Sequence, residues 1–372
     1  MRILVNCSNL KAGGGLQVAD SICRSLSRYP LHHFVLVLSS QMQRTAGKLN
    51  GVPNVSVVHY DVRNCVSTVL FGRDPFLDRI VENERIDAVL TVFGPSRWNP
   101  RVMHLSGFAR AQLVCPESPF YSQMAWWRKG LSRLSNRLIA YLFRRSAHLF
   151  YAETAVVSQR VEQLFPGVKC YTVTNTYNQI FDDPSCWNEI PLPVFQGFTL
   201  LNVGSNYPHK NLGIAVEVAR ILKKLRPEAG FRFVLTLDHR QFHVPEDVAD
   251  VFFLVGKTDV SQCPSLYRQA DMLFQPTLLE CFSATYVEAM KMGVPVVTTD
   301  LPFARDICGE AALYYSPLDP LEAAQCILRV CDDGSLREDL ADKGRSRLPL
   351  FDNWESRADK LIGIIEKEYK QQ

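Results

Sequence analysis

The chain has 372 residues, of which 47% are apolar and 21% charged. This composition excludes a disordered or fibrous protein and is typical of a globular enzyme, and the length predicts two domains. The formal net charge of +3 is too small to indicate nucleic-acid binding.

The eleven cysteines are scattered and contain no Cys-x-x-Cys pair. This pattern argues against a disulfide framework or a zinc site and favours a reducing compartment. The N-terminus reads as a short apolar strand, so we expect no signal peptide. No stretch reaches the ~18 apolar residues of a membrane-spanning helix. We therefore expect a cytoplasmic protein whose contact with a membrane, if it has one, is peripheral.

In the first half of the chain, short apolar runs alternate with helical patterns. Strands are predicted over 2–6, 34–39, 55–59 and 88–93, and a helix over 16–27. This βαβ alternation indicates a parallel sheet covered by helices on both faces.

The same alternation returns in the second half. The predicted strands are 199–204, 231–237, 251–255, 272–275 and 295–299, and the predicted helices are 212–225, 261–270, 284–292 and the segment from 352 onward. The Pro- and Asp-rich segment 182–197 between the halves reads as a linker. We expect an α/β protein with two Rossmann-like domains, 1–190 and 197–345, followed by a C-terminal helical segment, 346–372.

Ligands of open α/β sheets bind at the carboxyl ends of the strands, so the strand-to-helix loops are the place to look for a site. Glu280 falls in such a loop and Glu288 lies about one turn into the next helix. The helix N-terminus between them offers free N–H groups to a phosphate, and carboxylates accept hydrogen bonds from sugar hydroxyls. The pattern suggests a nucleotide-sugar site. The alternative is two solvated surface glutamates.

Two other loops are candidates for ligand contact. Lys210 lies near the start of a helix and could neutralise a diphosphate as a point charge, although a solvated lysine is an equal alternative. The loop 9–15 ends in three glycines, of which Gly14 and Gly15 would let the backbone approach a ligand. Its spacing is not that of a dinucleotide fingerprint, and a tight turn without a ligand remains an alternative.

The segment from Asn202 to Glu322 resembles the C-terminal domain of retaining family-4 glycosyltransferases, which have the GT-B fold. The matching pieces, in order, are Val203-Gly204, Pro208-x-Lys210-Asn211, Leu266-Tyr267-x-x-Ala270-Asp271, Glu280-x7-Glu288-Ala289-Met290, Gly293-Val294-Pro295, Asp300-x-Pro302 and Pro317-x-Asp319-Pro320. The N-terminal half matches loosely, through Gly13–Gly15 and Thr174-Asn175. The run Phe351-x-x-Trp354-Glu355 resembles the start of the family's last helix, which crosses back onto the N-terminal domain.

The resemblance implies two domains facing a cleft and transfer of a sugar with retained anomeric configuration, without a metal or another cofactor. Glu280 would contact donor-sugar hydroxyls, Glu288 the ribose and Lys210 the diphosphate. The backbone amides of Phe282, Ser283 and Ala284 would help to hold the leaving group. The donor would be a GDP- or UDP-hexose, and the run 205–211 is vaguely similar to that of mannosyl-transferring members.

The chain also departs from the family pattern. Ser205 stands where the family usually has an arginine, so one phosphate cation is missing or comes from elsewhere. The family's histidine in the N-terminal domain has no counterpart in the run 114–119. Glu117 in that run and His104 upstream are candidates for the acceptor side, with an ordinary polar loop residue as the alternative for Glu117.

The stretch from Ser118 to Ala152 contains no acidic residue and six cations, interleaved with aromatic residues and leucines. A basic helix with aromatic residues suits an anionic membrane surface, which a lipid-linked acceptor would require. The alternative is an amphipathic helix with its leucines in the core. Nucleic-acid binding fits less well because no known motif accompanies the charges.

We therefore expect a retaining hexosyltransferase that acts on a glycan or lipid-linked acceptor in surface polysaccharide synthesis, such as lipopolysaccharide or capsule. It would work in the cytoplasm or peripherally on the cytoplasmic face of the inner membrane, with a membrane contact through 126–150. The rivals are a sugar-nucleotide epimerase or phosphorylase on the same fold, and a non-catalytic GT-B protein that binds a nucleotide or a partner.

Overall fold

The computed structural model describes residues 1–11, 13–62 and 67–371. Ala12 of the glycine loop and Gln372 at the end of the chain, which were included in predicted segments, lie outside the described residues. The chain divides into two compact units. The first unit comprises Met1–Pro116, Met124–Asn175 and Asp352–Gln372, and the second comprises Glu117–Gln123 and Thr176–Phe351.

The first unit is built on a seven-stranded parallel sheet. Its strands are β1 (Arg2–Cys7), β2 (His33–Leu38), β3 (Val55–His59), β4 (Ala88–Thr91), β5 (Met103–Phe108), β6 (Leu149–Ala152) and β7 (Lys169–Thr172). They lie in the order β3-β2-β1-β4-β5-β6-β7. The central strands are apolar over nearly their whole length because both faces of a doubly wound sheet are buried.

Among the described residues, six α-helices lie between these strands. They are α1 (Gly14–Ser25), α2 (Gln43–Leu49), α3 (Pro75–Asn83), α4 (Ala111–Val114), α5 (Trp126–Ser146) and α6 (Ala155–Leu164). Gly13 caps α1 with a φ of 78°, a left-handed conformation that favours glycine. Asp74 caps α3 by accepting hydrogen bonds from the amides of Phe76 and Leu77.

The second unit contains a six-stranded parallel sheet. Its strands are β8 (Phe198–Asn202), β9 (Phe231–Leu235), β10 (Phe252–Leu254), β11 (Met272–Gln275), β12 (Val296–Thr299) and β13 (Ala312–Tyr315). Its helices are α7 (Ile214–Leu225), α8 (Cys263–Arg268), α9 (Ala284–Met292), α10 (Pro302–Cys308), α11 (Pro320–Asp332) and α12 (Gly334–Arg347). The strand order is β10-β9-β8-β11-β12-β13. In each sheet the order of the strands therefore reverses beside the first strand of the unit, as in Rossmann folds.

The last helix, α13 (Trp354–Tyr369), belongs to the first unit. Leu361, Ile362 and Ile365 on one side of α13 are buried in the core around β1 and α1. Just before the helix, the Asp352 carboxylate accepts hydrogen bonds from the amide and hydroxyl of Thr174, both at 2.9 Å. These contacts join the place where the chain leaves the first unit, after Asn175, to the place where it returns, at Asp352.

The predicted fold class is confirmed, since both units have the parallel Rossmann-like sheets that the alternation indicated. The compact units divide after Asn175 and Phe351, whereas the sequence boundaries were placed at 190 and 346. The difference arises because the predicted linker, 182–197, packs along the second unit. Glu189 in that segment pairs with Arg268, and the Leu192 amide donates to Gln269 at 3.0 Å.

Strands β5, β6, β7 and β13 were not predicted. His104 and Ser106 interrupt the apolar pattern of β5, and β7 is partly exposed along an edge of the sheet. Among the described residues, no helix is long and apolar enough to cross a membrane.

Candidate functional site

The candidate site lies where the second sheet reverses its strand order. Strands β8 and β11 are neighbours in this sheet, and each is followed by a loop at its carboxyl end. The loop after β8 carries Lys210, and the loop after β11 carries Glu280. Because parallel neighbours end at the same edge, the topology brings these two loops together.

The carbonyl of His209 joins the two loops. It accepts a hydrogen bond from the amide of Leu278 at 2.8 Å and one from the hydroxyl of Thr277 at 3.3 Å. Pro208–Lys210 forms a short 3₁₀ turn that ends at Asn211, which has a φ of 52°. The turn directs the side chain of its last residue, Lys210, toward the loop after β11.

Lys210 and Glu280 form an ion pair between Nζ and Oε1. The side chains are only 17% and 13% exposed, so the pair is screened less than a surface pair. The hydroxyl of Thr277 shares its one hydrogen between this carboxylate oxygen, at 3.0 Å, and the His209 carbonyl, at 3.3 Å. Thr277 thus positions Glu280 and links it to the backbone of the lysine loop.

Glu288 is buried on α9, with 7% of its surface exposed. Its Oε2 atom accepts a 2.9 Å hydrogen bond from the hydroxyl of Tyr267, which is itself fully buried. Burial raises the pKa of Glu288 to about 7, and the Tyr267 hydrogen bond and the charge of Lys210 only partly oppose that rise. Lys210 therefore acts electrostatically on both glutamates.

The N-terminus of α9 lies between the two glutamates in sequence. Ser283 is the capping residue, and its side chain makes no capping hydrogen bond. The side chains of Phe282 and Ser283 are buried, with Phe282 packed edge-on against Phe351 at 5.9 Å between ring centroids. Only their backbone can therefore serve a ligand, together with the amide of Ala284. The first amides of a helix lack intrahelical acceptors and favour an anion.

The lysine loop begins with a glycine and carries an aromatic pair. Gly204 has a φ of 147°, and its amide donates to the hydroxyl of Thr236 at 2.8 Å. Ser205, which follows it, is exposed. The rings of Tyr207 and His209 stack 5.7 Å apart, and burial lowers the pKa of His209, which favours its neutral form.

The two predicted acceptor-side residues lie in different units. His104 is buried in the first unit, where its ring nitrogens bond to the hydroxyl of Thr91 and the carbonyl of Ser146. Desolvation lowers the pKa of His104 to about 4, so it is neutral at physiological pH. Glu117 is exposed and begins the short segment that belongs to the second unit. The next residue, Ser118, donates a 2.7 Å hydrogen bond to the carbonyl of Leu278.

Gly14 and Gly15 begin α1 in the first unit. A Cβ atom on Gly14 would meet nothing within 4 Å, and one on Gly15 would make ordinary contacts of 3.5 and 3.6 Å with Phe93 and Leu10. The structure therefore does not require glycine for space at either position. It brings Lys210, Glu280, Glu288 and the start of α9 together in the second unit, and it places His104, Gly14 and Gly15 in the first.

Sequence reasoning gave no role to Thr277 or Tyr267. Thr277 lies three residues before Glu280, and Tyr267 lies within the Leu266-Tyr267 piece of the family resemblance. Neither has a signal of its own, because each is defined by a contact with a glutamate that only the fold brings near. Among the described residues, no group of three His, Cys, Asp or Glu side chains could hold a metal ion.

The fold consists of two Rossmann-like units, with a carboxylate pair and a lysine at the strand reversal of the second. Known proteins share this fold. Residues 197–333 match the family model described as Glycosyl transferases group 1. This segment is less than half of the chain and contains the pieces that carry the predicted resemblance to family-4 glycosyltransferases, and that resemblance is confirmed.

A known glycosyltransferase is similar to part of the chain. The chain is 27% identical over 180 residues to O-antigen chain mannosyltransferase B of Escherichia coli, a match that covers 44% of this chain and 46% of that relative. The match thus spans less than half of the relative's length.

Solved structures share the fold over nearly the whole chain. Sucrose-phosphate synthase from Thermosynechococcus elongatus has a TM-score of 0.73 at 15% identity and covers 100% of this chain and 99% of its own. Anabaena HepE, solved with UDP and glucose, has a TM-score of 0.68 at 15% identity, with 98% and 99% covered. At this identity the likeness shows the fold, which is that of GT-B glycosyltransferases.

Proposed function

We propose that the protein is a retaining glycosyltransferase that moves a hexose from a nucleoside-diphosphate sugar to a hydroxyl group. The observation that carries the proposal is the partly buried pair Lys210–Glu280, together with Glu288 and the amides at the start of α9. A cation, an amide cluster and two carboxylates suit a ligand with a diphosphate between two sets of hydroxyls.

In this proposal the diphosphate takes the place of Glu280 as the partner of Lys210. Glu280 is then free to accept hydrogen bonds from the hexose hydroxyls, while Thr277 continues to hold it. Glu288 accepts hydrogen bonds from the ribose. Each group is thus supported by the protein before the donor arrives, which reduces the cost of ordering it.

Breaking the anomeric bond leaves negative charge on the nucleoside diphosphate. Lys210 and the amides of Phe282, Ser283 and Ala284 are aimed at that charge, and fixed donors of this kind are the largest single contribution in many enzymes. They do here what a divalent metal does in other transferases, so we propose a metal-independent reaction. The acceptor hydroxyl would attack the face that the diphosphate leaves, without a protein nucleophile.

The acceptor we propose is a glycan or a lipid-linked glycan in surface polysaccharide synthesis, in line with the O-antigen relative. The donor we propose is a GDP- or UDP-hexose. The relative's name supports mannose as the hexose, and HepE, which was solved with UDP, supports a nucleoside diphosphate. Work on a lipid-linked acceptor would locate the enzyme at the cytoplasmic face of the inner membrane.

The test is transfer or hydrolysis of a panel of UDP-, GDP-, ADP- and dTDP-hexoses by purified protein. We expect Lys210→Ala to lower kcat by about 10²–10³-fold, the range for loss of one charge-stabilising donor, and Glu280→Ala to abolish most turnover. Matched controls in the same unit are Lys224→Ala and Glu310→Ala, which alter exposed side chains. Wild-type turnover in both site variants would contradict the assignment.

The same panel separates the rival functions. An epimerase would convert the nucleotide sugar to its epimer without an acceptor, and a phosphorylase would require phosphate. A non-catalytic binder would be stabilised by the nucleotide and consume none of it.

A further inference from the structure

Helix α5 has its apolar side chains on the outside. Leu131, Leu134 and Leu138 are 61%, 66% and 51% exposed, and Trp126, Trp127 and Tyr141 are exposed as well. The alternative in which these leucines face the core is therefore wrong. The side of α5 that faces the protein is instead lined by partly buried residues such as Ser132, Asn136 and Ala140.

The outward residues form a single stripe along the helix. Trp127, Leu131, Leu134, Leu138 and Tyr141 follow one another at alternating steps of four and three, which places them on one face. Exposed arginines form a row along one flank of this stripe. They are Arg133, Arg137 and Arg144.

Arg145, the last of the six cations in the basic stretch, has a different role. The guanidinium of Arg145 donates hydrogen bonds of 2.7–3.0 Å to the carbonyls of Thr68, Val69, Leu70 and Arg97. Arg145 thereby holds residues 68–70 and the loop after β4 against the end of α5. Leu70 and its neighbour Phe71 are 59% and 69% exposed, so they extend the apolar stripe beyond the helix.

The charge of this surface is of one sign. Residues 118–152 contain no Asp or Glu. In the part of the chain that the structure describes, Arg133, Arg137 and Arg144 form no ion pair, whereas other exposed cations do, as Arg220 does with Asp247 and Lys343 with Asp339. An apolar stripe beside arginines that have no carboxylate partner is unfavourable in water. It is complementary to a surface that has an apolar interior and negatively charged groups on its outside.

We propose that this face of α5, continued by Leu70 and Phe71, binds the protein to an anionic lipid bilayer. The leucines and Phe71 enter the boundary of the acyl chains, Trp126 and Trp127 lie at the headgroup level, and the arginine row contacts lipid phosphates. A second copy of the chain is a poorer occupant, because a face shared by two copies would bring two arginine rows together. The proposal goes beyond sugar transfer and does not depend on it.

The test is co-sedimentation of the full chain with phosphatidylcholine vesicles that contain or lack phosphatidylglycerol. We expect binding to the anionic vesicles that weakens as salt is raised. Arg133→Glu/Arg137→Glu should reduce the affinity at least about tenfold, given the contribution of each basic residue near an anionic surface. The matched control is Arg44→Glu/Lys48→Glu, which makes the same charge change at exposed positions of α2.

Leu131→Ser/Leu134→Ser tests the apolar contribution and should also weaken binding at constant charge. Its control is Leu31→Ser/Leu350→Ser, since both residues are exposed and lie outside α5. Circular dichroism checks that each variant folds, which the exposure of these positions favours. Equal binding by the leucine variant, or no preference for anionic vesicles, would overturn the proposal. So would a dimer in light scattering that the leucine variant abolishes.

Discussion

Glu288 is a carboxylic acid that folding removes from water. Its pKa of about 7 lies above that of an exposed glutamate because burial penalises the charged form. Between about pH 4.5 and pH 7 the unfolded chain has released this proton and the folded chain still holds it. The free energy of unfolding therefore falls as pH rises through that window.

We expect Glu288→Gln to stabilise the protein at pH 8, where the wild type has a buried charge, by up to about 3 kcal/mol. At pH 5 the gain should nearly vanish, because the wild-type side chain is then neutral in the folded state. Urea denaturation at the two pH values measures both. Glu310→Gln, at a side chain that is 88% exposed, is the control. A gain that does not depend on pH would mean that the carboxylate is not buried as described.

Thr277 positions Glu280 through one buried hydroxyl. If the proposed function holds, Thr277→Val should lower kcat about tenfold, because the carboxylate loses a hydrogen bond worth roughly 1.5 kcal/mol. The measurement is turnover of the donor identified in the panel.

Thr45→Val provides the comparison for that substitution. Thr45 is buried in the first unit, and its hydroxyl donates a 2.6 Å hydrogen bond to the carboxylate of Asp20. We expect Thr45→Val to lower the free energy of unfolding by about as much as Thr277→Val does and to leave kcat unchanged. Equal loss of activity in both variants would show that Thr277 acts through stability alone.

At the scale of elements, the apolar patterns in the second unit predicted β8 to β12 and α7 to α9 closely, whereas α10, α11, α12 and β13 were not predicted. The bounds of β11 and α9 were predicted exactly, since each is a short apolar run between clear polar or glycine signals. Strand β6 was missed because it lies within the stretch 118–152 that was interpreted as a basic helix, and β7 was missed because it lies at the edge of the sheet, half exposed. The direction of the leucines on α5 could not be predicted, because helical spacing does not say which face meets the core.

Helix α13 completes the core of the first unit. Leu361 is 1% exposed and packs in the cluster that includes β1 and α1. We expect Leu361→Ala to lower the free energy of unfolding by about 2–5 kcal/mol, as for other buried leucines. Urea denaturation measures the loss, and Lys370→Ala, at an exposed position after the helix, should change little. A loss below about 1 kcal/mol would show that α13 is not part of this core.

At the scale of the whole molecule, a donor nucleotide should protect only the loops that form its site. Hydrogen exchange with and without saturating nucleotide should show slower exchange in 204–211 and 276–288. Strands of the first sheet such as β2 should exchange unchanged. Binding also raises the free energy of unfolding, by about 2.7 kcal/mol at one hundred times Kd. Lys210→Ala should reduce the protection, and protection confined to the first unit would contradict the donor assignment.

The site could be predicted from the sequence only in part. The resemblance marked Lys210, Glu280 and Glu288 as donor contacts, and the structure shows that the lysine and the glutamates are neighbours. That Thr277 joins the two loops follows from the adjacency of β8 and β11, which are about 70 residues apart in the chain. Such a pairing is a property of the sheet order, and local sequence patterns do not encode it.

The return of α13 to the first unit has a consequence for synthesis on the ribosome. The residues that complete the core around β1 are made only after the whole of Thr176–Phe351. At the usual speed of translation this interval is roughly 10–35 s. During that time the nascent first unit leaves an apolar surface uncovered, the place that Leu361, Ile362 and Ile365 will fill. A chaperone that recognises exposed apolar chain would therefore meet this protein during elongation rather than after release.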